Sequence, residues 1–187
     1  DLRDWQIIGL IGEKCGKITP HFSWEIDGLR SILLNETELP VNFNGDEKIW
    51  DVADIQAGLP NLSPQTQNEF IPQALNLQAI EQAISFTKGC YIGQETVARA
   101  KYRGANKRAM FVFKAQTQHE SDIGREIEMQ IESNWRKTGT ITSAVNLDGV
   151  LWLQVVMNND IDSAQVFRLP NSEILLERMQ LPYSITE

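Results

Sequence analysis

The tightest constraint on this fold lies after Gly104, where short apolar segments follow one another with only turns between them. Ala109 to Ala115 is a strongly apolar strand. Glu126 to Glu132 alternates strictly, with Ile127, Met129 and Ile131 on one face and acids or Gln130 on the other. Thr138 to Leu147 and Val150 to Met157 flank Asp148-Gly149, a two-residue hairpin signal. Gln165 to Leu169 and Glu173 to Met179 bring the count to about six strands, which predicts a small antiparallel barrel or sandwich.

The chain before Gly104 has a mixed pattern. Trp5 to Ile11 reads as a buried strand and Phe22 to Ile26 as a half-buried one. Asp27-Gly28 then turns the chain into a returning strand, Leu29 to Leu34. A helix is predicted from Asp46 to Ala57, with Ile49, Val52, Ala53 and Gln56 along one stripe, stopped by Gly58 and Pro60. Asn61 to Asn68 is a polar loop, and Leu75 to Ile84 reads as a short helix. Strands and helices in this order predict an α+β body, residues 1–104, followed by a β-barrel, residues 105–187, with the boundary near Gly104 to Arg108.

Composition narrows the function classes. A net charge of −8 argues against general affinity for nucleic acid. No apolar run approaches membrane-spanning length, and there is no secretory signal pattern. Cys15 and Cys90 stand far apart, which gives neither a disulfide framework nor a metal site and fits a reducing cytoplasm. His21 and His119 lie near no recognisable partner motif, so a histidine-based nucleophilic triad is not expected.

One stretch concentrates the chemistry. Ser85 to Arg108 reads S-F-T-K-G-C-Y-I-G-Q-E-T-V-A-R-A-K-Y-R-G-A-N-K-R. Gly89 and Gly93 bracket Cys90, and a short helix follows with Glu95 in its first turn and Arg99, Lys101 and Arg103 near its end, which suits the helix dipole. Cys90 is thus placed just before a helix N-terminus with Lys88 nearby, and both features favour thiolate over thiol. Lys88 to Arg108 holds six basic residues and one acidic, a local +5; the remaining 11 basic and 24 acidic residues give −13. A basic helix on an acidic body points to a local anion site, although such a run is more often a solvated helix face.

The string K-G-C-Y-I-G-Q-E followed by V-A-R-A-K-Y-R-G-A-N-K-R resembles the signature of the YgfZ family, bacterial folate-binding relatives of the T-protein of the glycine cleavage system. The resemblance extends to D-I-Q-A-G-L-P (Asp54 to Pro60), F-I-P-Q-A-L-N-L-Q-A (Phe70 to Ala79), W-R-K-T-G-T (Trp135 to Thr140) and V-V-M-N-N-D (Val155 to Asp160). It implies a ferredoxin-like, T-protein-like body ahead of the barrel. It also implies an upstream segment that this chain, which enters at Asp1, lacks. The ligand it implies is tetrahydrofolate or another reduced folate. Trp50 falls where that family places a folate-contacting tryptophan, and Gln94, Glu95, Arg99 and Lys101 offer polar and charged contacts.

The implied role is a folate-binding accessory protein that maintains iron-sulfur enzymes, one of them tRNA-modifying, with Cys90 as the functional thiol and an iron-sulfur client as partner. The alternatives are a tetrahydrofolate-dependent aminomethyltransferase and a direct tRNA-binding module. No catalytic constellation or metal-ligand cluster is visible, and the acidic body weighs against direct nucleic-acid binding.

Overall fold

The structure is a computed structural model that describes residues 5–12, 19–38, 42, 45–104 and 106–185. Cys15 lies outside the described residues. The chain divides into two compact units, Asp1–Trp50 and Asp51–Glu187. The expected boundary at Gly104 therefore marks a change of secondary structure inside the second unit.

The first unit is a three-stranded antiparallel sheet in the order β1-β3-β2, formed by β1 (Gln6–Ile11), β2 (Phe22–Asp27) and β3 (Arg30–Asn35). Asp27 makes the turn: its Oδ1 accepts from the Leu29 and Arg30 amides at 3.0 and 2.8 Å, and its Oδ2 accepts from Arg30 Nε at 2.7 Å. Partial burial pushes the Asp27 carboxyl up, but the Arg30 guanidinium and these amides outweigh it and hold the group below the ordinary range.

The register puts Ile7, Gly9, Ile11, Phe22 and Trp24 on one face and Ile8 and Leu33 on the other. Ile8 and Leu33 on the second face are buried, whereas on the first face burial is confined to Arg30 and most of the apolar side chains stay open. Ile7 is 71% exposed, Phe22 53% and Trp24 50%, so the buried strand expected at Trp5–Ile11 and the half-buried one at Phe22–Ile26 are strands, but open ones. Apolar content marks the strands; it does not say which face is covered.

Helix α1 (Glu47–Gln56) follows, with Val52 and Ile55 buried. Ile49 and Gln56, expected on the buried stripe, are exposed, so the inward face is rotated toward Ile55. The helix ends in a Schellman arrangement, Gly58 N–H to Ile55 O and Leu59 N–H to Asp54 O, both 3.0 Å. Gly58 has φ 66°, and a Cβ there would lie 2.6 Å from the Tyr183 hydroxyl.

The helix expected at Leu75–Ile84 is instead a pair of 3-10 turns, Pro72–Leu75 and Leu77–Ala79, hinged at Asn76 with φ 59°. Asn76 tolerates the left-handed conformation and exchanges two hydrogen bonds with the Met110 backbone, donating to its carbonyl at 2.7 Å and accepting from its amide at 3.1 Å. That bond set displaces regular helix. Helix α2 (Gln94–Tyr102) matches its expectation.

Six strands close the barrel in the order β4-β7-β6-β5-β8-β9. They are β4 (Arg108–Gln116), β5 (Glu126–Ile131), β6 (Asn134–Leu147), β7 (Val150–Asn158), β8 (Phe167–Arg168) and β9 (Leu175–Met179). All pairs are antiparallel. Alternate residues fill the interior, among them Phe111, Phe113, Ile127, Ile141, Leu153, Val155 and Phe167.

Asp148 and Gly149 turn β6 into β7 with φ 52° and 80°, the hairpin their sequence predicts. Gly139, in W-R-K-T-G-T, is skipped in the β5–β6 pairing, where Thr138 faces Ile127 and Thr140 faces Glu126. Its φ is 59° and a Cβ would lie 2.7 Å from Val155 Cγ1, so this bulge admits only glycine without rearrangement.

β4 is apolar from Ala109 to Phe113 because both its faces are covered there. Outside the barrel, Met110 and Val156 pack with Ala74 and Leu75 of the first 3-10 turn, flanked by Phe70, Ile71 and Leu77. Full burial of Met110, Val156 or Leu75 contributes about 1.5–3 kcal/mol each.

Candidate functional site

The cysteine turn is carried on the barrel through two amide side chains. Asn76 fastens the 3-10 segment to β4, and Gln73, one turn earlier, donates from Nε2 to the Val97 carbonyl of α2 at 2.7 Å. Two further bonds hold the end of α1 to the same unit. Gln154 on β7 donates to the Leu59 carbonyl at 2.8 Å, and the Tyr183 hydroxyl donates to the Gly58 carbonyl at 2.7 Å. The motif glutamine and asparagine of F-I-P-Q-A-L-N are thus structural fasteners. Their signal in the sequence is an Asn-Leu step where a helix needs no asparagine.

Cys90 is exposed. It precedes Gly93, which caps α2 with φ 88°, while the Thr96 amide bonds the Gly93 carbonyl at 3.1 Å and the Gln94 amide bonds the Tyr91 carbonyl at 3.2 Å. Gly93 thus needs its glycine for backbone conformation. Gly89 does not: it has no positive φ, and a Cβ there would meet nothing within 4 Å.

Lys88 turns its ammonium to the Tyr91 ring, 4.4 Å from the centroid. Lys101 sits 3.5 Å over Phe86, and Phe86 meets Tyr102 edge-on at 6.4 Å. These cation–aromatic contacts tie the loop ahead of the cysteine to the last turn of the helix.

On α2, Glu95 and Arg99 form the i,i+4 ion pair that their spacing predicts. Gln94 is half-buried and Lys101 exposed. Helix α2 therefore gathers Gln94, Glu95, Arg99 and Lys101, as expected of one element. Glu95 and Arg99 answer each other, and Lys101 answers Phe86.

Trp50 belongs to the first unit and is half-buried. Its ring lies across Gly9, where a Cβ would be 2.6 Å from Cε3, and the Arg30 guanidinium sits 5.1 Å from the ring centroid. The tryptophan is seated on the sheet by a glycine that makes room for it.

Comparison with known proteins places this architecture. The YgfZ β-barrel domain matches residues 106–172, from the end of the basic run through β8. A tRNA-modifying protein YgfZ of Yersinia enterocolitica is 46% identical over 144 residues, 76% of this chain and 43% of that protein. That of Yersinia pestis is 43% identical over 179 residues, 89% of this chain and 53% of that protein. The chain belongs to the YgfZ family.

A further relative, an uncharacterized protein of Haemophilus influenzae, is 90% identical over 187 residues, all of this chain and 67% of that protein. The chain spans about half the length of the Yersinia YgfZ proteins it matches, 43% and 53%. Among the described residues no helix is long and apolar enough to cross a membrane, and no three His, Cys, Asp or Glu side chains converge as metal ligands.

Proposed function

We propose that the protein is a folate-binding accessory factor of the cytoplasm that supports iron-sulfur enzymes and, through them, tRNA modification. The observation that carries this is Cys90: an exposed thiol held by a glycine-capped helix, inside the family's K-G-C-Y-I-G-Q-E string. The Yersinia relatives are named tRNA-modifying proteins, which supports the same direction. The T-protein relationship supports a ferredoxin-like body.

Each unit by itself offers groups that support a reduced-folate reading. Trp50 is half-buried, which supports ring-on-ring packing with a ligand. Arg99 has five donors of which one serves Glu95, so a glutamate tail finds donors without breaking the pair. When bound, the folate supplies one-carbon carrier chemistry. Cys90 offers a single thiol to a client protein, and Gln94 offers an amide in the first turn of α2.

An aminomethyltransferase would instead transfer a methylene group to tetrahydrofolate. Assaying the complete protein for that transfer separates the two, and the accessory reading expects none above background. It also expects Cys90→Ser to abolish complementation of a deletion strain while leaving folate affinity unchanged. Measurable methylene transfer, or full complementation by Cys90→Ser, would sink the proposal.

A further inference from the structure

Two recesses open beside the first 3-10 turn, and Asn106 and Arg108 line both. The larger, about 330 Å³, has an apolar part made by Phe70, Ile71 and Ala74 and a charged part made by Glu69, Lys107 and Arg108. Glu69, Lys107 and Arg108 form no ion pair among the described residues. The smaller, about 20 Å³, is lined by Gln73 among other amides and holds one water-sized group.

Gln73 is only 2% exposed, and with its Nε2 committed to Val97 its Oε1 has no partner. A buried amide oxygen without a donor costs about 1–3 kcal/mol, so its persistence calls for a donor from outside the chain.

We propose that these paired recesses are a binding site for a small guanine nucleotide. The apolar part accepts the flat face of a base, as Phe70 and the aliphatic side chains beside it present carbon and no competing donors. Lys107 and Arg108 meet the phosphate, whose near-double negative charge matches two cations better than a single carboxylate does. The Glu69 carboxylate accepts the adjacent N1–H and N2–H of guanine, whereas adenine would present it a lone pair. Gln73 Oε1 takes a further donor, directly or through the one water that the smaller recess holds. This site is separate from the folate reading: none of its residues is Trp50, Gln94, Glu95, Arg99 or Lys101.

The test is a nitrogen-15 amide titration of the full chain with 5′-GMP, with AMP, inorganic phosphate and tetrahydrofolate as parallel arms. GMP is expected to move the amides of Phe70, Ala74, Asn106, Lys107 and Arg108, saturating in the millimolar range, with AMP and phosphate weaker by about tenfold. Lys107→Ala with Arg108→Ala should weaken GMP by about tenfold, and Glu69→Gln should bring GMP and AMP to similar affinity. These three residues are on the surface, so the variants keep the fold. The proposal is overturned by no shift up to about 10 mM GMP, by phosphate or AMP acting as strongly as GMP, by tetrahydrofolate saturating the same amides at lower concentration, or by the double variant binding unchanged.

Discussion

Gly58 is where a single atom decides the packing of a whole segment. Its φ of 66° is one that L side chains rarely adopt, and a Cβ would lie 2.6 Å from the Tyr183 hydroxyl and 2.9 Å from Leu181 Cδ2. The sequence announced the glycine as a helix stop. It could not announce the neighbours, because they arrive from more than a hundred residues downstream. Gly58→Ala should cost about 2 kcal/mol or more, combining left-handed strain with displacement of Tyr183. Urea denaturation should show a lower midpoint at unchanged slope. An unchanged midpoint would mean that Tyr183 moves aside without loss.

At the scale of elements, the barrel strands were legible and the segment draped on them was not. Strict alternation at Glu126–Ile131 and the Asp148-Gly149 turn encode strand and hairpin locally, so β5, β6 and β7 were found. Even there the polar face misled in one place: Glu128 is buried and bonded to Arg168 Nε at 2.7 Å. The 3-10 pair around Asn76 escaped because its geometry is imposed by β4, a tertiary partner that no local window contains. Asn76→Ala should remove both bonds to the buried Met110 backbone and leave its polar groups unpaired, a loss of about 2–4 kcal/mol. Because Asn76 and Gln73 flank one short turn, the same variant should speed amide exchange in α2 before global unfolding. Exchange in α2 at the wild-type rate would separate the helix from the fastening assigned to it.

For the molecule as a whole, the second unit is closed by its last residues. Tyr183 bonds Gly58, and Asn76 donates to the Tyr183 hydroxyl at 3.4 Å, so C-terminal sequence joins α1 and the 3-10 turns. Burial pushes the Tyr183 phenol above its ordinary range, and the bond from Asn76 offsets part of that. The raised value means that folding favours the neutral phenol. This contribution is whole below about pH 10 and fades as pH rises through the folded value. Tyr183→Phe should cost about 1 kcal/mol at neutral pH and lose less stability than wild type as pH climbs past about 10. Parallel alkaline limbs for the two proteins would count against a buried, titrating Tyr183.

The candidate site residues stand out only through the motif string: an exposed cysteine and a half-buried tryptophan look ordinary by composition. The central claim, folate on Trp50, is tested most directly by titrating the complete protein with tetrahydrofolate and following tryptophan fluorescence in wild type and Trp50→Ala. The account predicts saturable quenching in the wild type and a loss of about fivefold or more in affinity without the indole, in line with about 1 kcal/mol or more for one aromatic partner. A folded Trp50→Ala protein that binds tetrahydrofolate as tightly as wild type would contradict it.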